Sequence, residues 1–282
     1  MLNLHHILLG FILLAVSAYA HGQTIKGTVI DEHTGETIPY ATLLIEGKNV
    51  RTIASREGMF ILTIDTSNHV DEVKFRSLGY EEKTFNLKQL ISTPANIVKL
   101  NPVSFKMDTV SIAIGKQRFE KLGYTKVGNK RTGWGDFASS KGRIRGVLIE
   151  NPKEPTKIKS FHFRIIDNDW DSVAFRVNFQ VVKEQKPDSS ILSEDIIIHT
   201  DKKRKWVTLD LDKYNLSIDK ELIAVLEWVD AWGTFGEYSN VLTLSLSDES
   251  GYVYSKEAKE ESITFEKAAH TPAMFFVVYA KD

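Results

Sequence analysis

The side chains able to do chemistry are few and scattered. His33 and Glu36 form an H-x-x-E pair, and His162 lies far downstream, where a third zinc ligand would be sought. A catalytic zinc needs three protein ligands converging on one open position. The pair here sits in a Gly-containing turn, and His162 alternates with Phe161 and Phe163 as a strand residue does. The spacing therefore argues for a turn and an ordinary strand histidine. Glu227 and Asp230 offer a carboxylate pair of the kind glycoside hydrolysis uses, two carboxyls flanking the bond at a set separation. Position at a strand end does not supply that separation. The run Asp167, Asn168, Asp169, Trp170, Asp171 alternates carboxylates, and calcium takes several hard oxygens at once. Asp167, Asp169 and Asp171 are thus candidate ligands of a structural calcium. Against this, no glycine follows at the sixth position, and Asn178 stands where a calcium loop places its bidentate Glu.

Aromatic residues make a second set of candidates. Trp134 in TGWGDF and Trp232 in DAWGTFGEY are flanked by glycine, and Trp170 lies in the Asp-rich turn. All three are expected outside regular strands. There an exposed indole offers an apolar face to a sugar ring, while nearby Asp, Glu or Asn accepts from its hydroxyls. Trp134, Trp170 and Trp232 are accordingly the candidate ligand-binding residues, whereas Trp206 and Trp228 fall within strand patterns and are expected in the core. The basic run Lys202 to Lys205 reads as a solvated hairpin turn. A Gly-rich phosphate loop, a G-x-S-x-G elbow and an H-E-x-x-H helix are all absent from the sequence. The expectation is a protein that is not an enzyme, with no cofactor beyond the candidate calcium.

The elements that must position these groups are short. From Gly27 to Leu87 every apolar burst is rich in Val, Ile, Leu, Phe and Thr and is stopped by Gly, Asn, Asp or Pro, the punctuation of small antiparallel sandwiches. Strands are expected at 25–30, 40–46, 51–54, 59–64, 72–77, 83–87 and 96–100. Downstream, strands are expected at 142–149, 157–166, 173–182, 194–200, 205–210, 222–228, 241–247 and 275–279. The stretch FHFRIIDNDWDSVAFRVNFQVV holds two of them around its Asp-rich turn. Lys116 to Tyr124 is open between a short helix and an extended linker.

Composition narrows the classes. With 36 basic and 37 acidic residues the net charge is -1, so the excess positive field that drives nucleic-acid binding is missing. The N-terminus runs apolar from Ile7 to Val16 and then turns to Ser17, Ala18 and Ala20, the pattern of a secretory signal peptide. It departs from that pattern in having His5 and His6 but no Lys or Arg among its first six residues. Cleavage is expected after Ala20 or Gly22, and no membrane span is expected in the mature chain. Cysteine is absent, which removes both disulfide staples and the thiol a bacterial lipoprotein needs, so each domain must be held by its core alone.

The segments GTVID, TGETIPYATLLIEG, ASREGMF and FRSLGYEE, in that order, resemble the carboxypeptidase-regulatory-like domain. That resemblance implies a transthyretin-like or immunoglobulin-like β-sandwich, of the kind that precedes the plug of outer-membrane TonB-dependent receptors and also occurs alone in exported bacterial proteins. The family's usual acidic residue before the tight turn at Gly58 is replaced by Ser55 and Arg56. In the carboxypeptidases this domain is an appendage of the zinc enzyme, so the resemblance brings no catalysis with it. About half of the second domain also bears a loose likeness, mainly in WVTLDLDKYNLSI and VLEWV, to uncharacterised bacterial β-sandwich regions, and that likeness carries no known chemistry.

The sequence thus predicts an all-β chain in three parts. These are a signal peptide at 1–22, a first β-sandwich at 23–112, and a second, jelly-roll-like β-sandwich at 113–282. The expected role is a non-catalytic exported binding or interaction module, periplasmic or associated with the outer membrane or cell surface, with an envelope protein or a glycan as partner. Two alternatives stand beside it: an envelope glycan-processing hydrolase or accessory working through Glu227 and Asp230, and a purely structural envelope component.

Overall fold

A computed structural model describes residues 22–48, 50–65, 72–103, 118–135, 137–184, 186–201, 205–233, 241–258 and 263–280. The signal-peptide expectation therefore lies outside the described residues, except for Gly22, as do three of the four residues of the basic run Lys202 to Lys205.

The chain is all-β. Its first seven strands are β1 (Gly22–Asp31), β2 (Thr42–Ile45), β3 (Val50–Ile53), β4 (Met59–Asp65), β5 (Glu72–Arg76), β6 (Lys83–Asn86) and β7 (Asn96–Leu100), with a short helix α1 (Leu87–Ser92) before β7. They form two sheets in the orders β4-β1-β7 and β3-β2-β5-β6. Each strand turns alternate side chains inward, and Ile25, Val29, Leu43, Phe60, Leu62, Val73, Phe75 and Val98 fill the space between the sheets. Two glycines in this unit have no substitute. A Cβ on Gly27 would stand 2.3 Å from the carbonyl oxygen of Asn96, its partner in the parallel β1–β7 pair. Gly58 sits at φ 73°, where an L side chain is strained, and its Cβ would press on the Val29 carbonyl at 2.9 Å.

The second unit begins with β8 (Arg118–Gly123), β9 (Arg131–Gly133) and a helical turn α2 (Phe137–Ser140). It continues through β10 (Ile144–Ile149), β11 (Thr156–Asn168), β12 (Ser172–Lys183), β13 (Lys186–Ser190), β14 (Ile196–Asp201), β15 (Lys205–Asp210) and β16 (Ser217–Ile218). Its last strands are β17 (Leu222–Trp232), β18 (Leu242–Ser247), β19 (Gly251–Lys256), β20 (Ile263–Ala268), β21 (Thr271–Pro272) and β22 (Met274–Ala280). One sheet runs β13-β12-β17-β10-β19-β20 with β14 joined to β12. The other runs β21-β18-β11-β22-β8 with β15 and β16 joined to β11 and β9 to β18. Phe161, Phe163, Phe175, Phe179, Trp228 and Phe276 lie fully buried between them.

Two expectations about local structure need correction. Within the segment left open between helix and linker, the described residues 118–123 are a strand paired antiparallel to β22, because an edge strand needs a partner's backbone more than an apolar pattern of its own. Strands β9, β13, β16, β19, β20 and β21 were not expected. Strands β9, β13, β16 and β21 are short and β20 is largely exposed, so their alternation is weak and pairing with a neighbour fixes them.

Candidate functional site

The two units meet through charged side chains. Strand β17 carries LIAVLEWVDAW, and its pairing with β12 sets Glu227 opposite Arg176. Both side chains point away from the second unit's core toward β2 and β3. Arg51 of β3 donates from Nη2 to Glu227 Oε1, and from Nη1 to the Gly142 carbonyl at 3.0 Å. Arg176 donates from Nη1 to Glu227 Oε2 at 3.0 Å and to Thr42 Oγ1 at 3.2 Å, and from Nη2 to the Tyr40 carbonyl. Its Nε lies 3.4 Å from Asp195 Oδ1, and Asp195 Oδ2 accepts from the Ser77 hydroxyl at 3.2 Å. The side chains of Arg176, Glu227 and Asp195 are 11%, 6% and 15% exposed. At such depth an unpaired charge would be very costly, and every charge in the chain Arg51–Glu227–Arg176–Asp195 has an opposite neighbour.

Electrostatics follow from this packing. Burial pushes the Glu227 carboxyl up, but the guanidinium groups of Arg51 and Arg176 outweigh it and hold the group below the usual carboxylate range. Asp195 is raised because burial outweighs the pull of Arg176. Around the ionic chain lies an apolar seam in which Tyr40 and Ile53 pack on Ala174 and Val229, with Ile197 and Trp232 half-buried beside them. Gly142, at φ 86°, lets the backbone come within reach of Arg51 and Ile53. Beside the junction opens a cleft of about 490 Å³, bordered by Arg51, Asn178, Gln180, Tyr254, Tyr80 and Glu227.

In the first unit, the turn after β1 is built on Asp31. Its Oδ1 accepts from the backbone N–H groups of His33 at 2.7 Å and Thr34 at 3.0 Å, and its Oδ2 from the Tyr80 hydroxyl at 3.1 Å. The TGE turn and the LGY segment are thereby tied to each other. The sequence of this sandwich matches a family model over residues 25–112, described as the CarboxypepD_reg-like domain. Residues 25–112 form a CarboxypepD_reg-like domain. No curated protein matches the chain. Among solved structures, it is similar to a variant of the clostridial cysteine protease Cwp84 after propeptide cleavage, at 11% identity and a TM-score of 0.39, over 82% of this chain and 52% of that one. It is also similar to the cysteine protease and lectin-like domains of Cwp84, a surface layer associated protein of Clostridium difficile, at 10% identity and a TM-score of 0.36, over 82% and 46%. The chain thus spans about half the length of these solved chains, and likeness this loose assigns no role to any residue.

Outside the CarboxypepD_reg-like domain, the expected sugar platforms are misplaced. Trp134 is fully buried and Trp170 is 5% exposed. Trp134 Nε1 donates to the Arg143 carbonyl at 3.0 Å, and both indoles pack against Trp228, at 6.4 and 5.8 Å between centroids. At Trp134 the flanking glycines let the backbone turn inward, Gly135 at φ 77°, and neither indole offers a face to solvent. Trp232 is the last residue of β17 rather than a loop residue. It lies half-buried against the CarboxypepD_reg-like domain and packs on His199 at 5.4 Å. Trp228 is core as expected, but Trp206 faces outward, since Val207 and Leu209 take the inward positions of β15.

The carboxylates of the Asp-rich turn do not converge. Asp167 accepts from Arg131 Nη1 at 2.6 Å and from the Thr243 hydroxyl at 3.0 Å, while Asp169 accepts from the Val241 N–H at 2.9 Å. Asp171 stands against Gly233. Among the described residues no three His, Asp or Glu side chains come together as a metal would need, which separates His33 and Glu36, exposed in their turn, from His162 on β11. Asp230 is raised by burial and faces Tyr40 and Lys141, and it does not border the cleft that Glu227 borders. The ionic junction itself was missed from sequence. Arg51 and Arg176 sit among ordinary strand residues and Asp195 just before β14, and the one available signal was a charged residue facing outward on an otherwise apolar strand, as Glu227 does in LIAVLEWV.

Proposed function

We propose that the protein is a non-catalytic, exported binding or interaction module of the bacterial envelope. In this reading the CarboxypepD_reg-like domain is an arm docked on the second sandwich, and the cleft beside their junction receives a neutral, hydroxyl-rich ligand such as a glycan. The observation that carries it is the use of Glu227. A general acid must hold a proton and release it, whereas this carboxylate is shared between Arg51 and Arg176 and held ionised. What the cleft offers instead is the Asn178 amide N–H group, its Oδ1 being taken by Phe179 N–H and Ser190, and the Gln180 amide beside the rings of Tyr80 and Tyr254, with Arg51, Arg176 and Arg76 answered by Glu227, Asp195 and Glu82 and Lys256 acting on Glu227 as well. Such a lining suits a polar ligand without charge. Among the described residues no helix is long and apolar enough to cross a membrane, which accords with a mature chain lacking a helical span.

Titration of the full mature chain with a panel of neutral oligosaccharides tests this. The expected result is saturable binding to at least one, weakened about tenfold by Asn178→Ala with Gln180→Ala, with no hydrolysis of the bound sugar. Turnover that disappears in Glu227→Gln would replace this reading with the hydrolase, and uniform absence of binding would leave the structural role.

A further inference from the structure

The CarboxypepD_reg-like domain covers one sheet of the second unit, the sheet that carries Ala174, Arg176, Glu227 and Val229. The other sheet has an outward side of its own. Along β15, β11, β22 and β8 the alternation sends Val207, Phe161, Phe163, Phe276 and Leu122 into the core, so that Trp206, His162, Arg164, Phe275, Tyr279, Phe119 and Lys121 face out. His162 stacks on Phe275 at 4.6 Å with the planes 4° apart, Trp206 meets Phe275 edge-on at 5.1 Å, and Phe119 meets Tyr279 at 5.3 Å. Phe119 is 46% exposed.

Cations lie over these rings. Lys121 is 5.1 Å from the Phe275 centroid and Arg164 5.9 Å from that of Trp206. Lys159 is 5.2 Å from Phe119 and 5.5 Å from Tyr279, and Lys157 is 5.6 Å from Tyr279. The charges do not balance. Lys157 and Lys159 share Asp212, at 3.8 and 3.1 Å, and Asp210 is engaged by the Asp212 backbone N–H. Among the described residues Lys121 and Arg164 have no carboxylate partner, and Arg164 Nε, buried, has no hydrogen-bond partner. Four cations against two carboxylates leave this face positive on a chain whose net charge is -1.

We propose that this face binds an acidic polysaccharide, with sugar rings lying on Phe119, Tyr279 and Trp206 and carboxylates reaching Lys121 and Arg164. Flat rings suit the apolar faces of sugars, and a cation already poised on a ring gains a charge-assisted hydrogen bond when a carboxylate arrives. Each cation bordering the cleft stands near a carboxylate, Lys256 through its effect on Glu227, whereas among the described residues Lys121 and Arg164 do not, so the two surfaces take different ligands. The inference stands whether or not the cleft binds a neutral glycan.

The test uses the full mature chain, with polygalacturonate as the probe, its methyl-esterified form as the neutral counterpart, and polyglutamate as an acidic chain without sugar rings. The expected result is retardation by polygalacturonate in affinity electrophoresis, weakening with added salt as exposed charges are screened, and little retardation by the other two. Lys121→Gln with Arg164→Gln should weaken it at least tenfold, Phe119→Ser on the exposed edge strand several-fold, and Asn178→Ala in the cleft not at all. An unchanged thermal midpoint establishes that the variants are folded, and Phe119→Ser carries the test should the double variant unfold. Absence of retardation, equal retardation by the methyl ester or polyglutamate, or binding that survives the variants would overturn the proposal.

Discussion

Arg51 and Glu227 stand 176 positions apart in the chain and form an ion pair at the junction of the two sandwiches, with side chains 13% and 6% exposed. The pair does not act alone, because the same carboxylate also answers Arg176. Glu227 is thus a counter-charge shared by one guanidinium group from each unit.

Glu227→Gln leaves two guanidinium groups facing a neutral amide. The expected loss is about 3–5 kcal/mol, the cost of breaking a buried pair from one side. Urea unfolding followed by tryptophan fluorescence measures it. A midpoint shift worth less than about 1 kcal/mol would show that the junction contributes little to the stability of the whole.

Acid should act on the same pair. The folded-state carboxyl of Glu227 lies below its ordinary value of 4.5. Its contribution is therefore present above the unfolded pKa and is lost as pH falls through the folded one. Relative to wild type, Glu227→Gln should lose its extra sensitivity to acid below about pH 4.5.

Two histidines act in a higher window. Burial lowers His162, aided by Lys121, and burial lowers His199, aided by Arg56. The unfolded chain then takes up protons before the folded one does, so stability falls as pH drops through and below about 6.5. Denaturant midpoints measured from pH 8 to pH 5 should decline, and His162→Gln should flatten the slope. An unchanged slope would remove His162 from the account.

Trp134→Ala should cost about 3–5 kcal/mol as a large-to-small change in a packed core, since the indole is fully buried beside Phe175 and Trp228. Trp134→Phe should cost less and should leave glycan titrations as they are in wild type. Binding lost in a folded Trp134→Phe would return that residue to the ligand site.

Millimolar calcium is expected to leave the thermal midpoint unchanged, because Asp167 and Asp169 are already engaged by Arg131, Thr243 and the Val241 N–H and do not converge. Any site that bound calcium only when folded would raise the midpoint. Scanning calorimetry with calcium and with a chelator decides it.

Much of the fold was legible because it is written locally. All seven strands of the CarboxypepD_reg-like domain were readable from alternation and turn residues, since each lies against a sheet that is dry on one side and wet on the other. The tight turn at Gly58 was readable as well, and its backbone stands at φ 73°. The short strands of the second unit were less readable, because β8 and β20 are mostly exposed and take their geometry from their partners. Glycine beside tryptophan misled: at Trp134 it marks a chain turning into the core.

The amino-acid sequence by itself determined the all-β class and the CarboxypepD_reg-like domain, because periodicity, turn chemistry and motif spacing are properties of neighbouring residues. Only the tertiary structure decided that Glu227 pairs with Arg51 and Arg176, that Trp134 and Trp170 are core, and that Trp206 belongs to a cationic, aromatic outer face. Those roles depend on which strands pair and which faces meet. Arg51 and Glu227, or Arg164 and Trp206, carry no mark in sequence of the partner that the fold brings beside them.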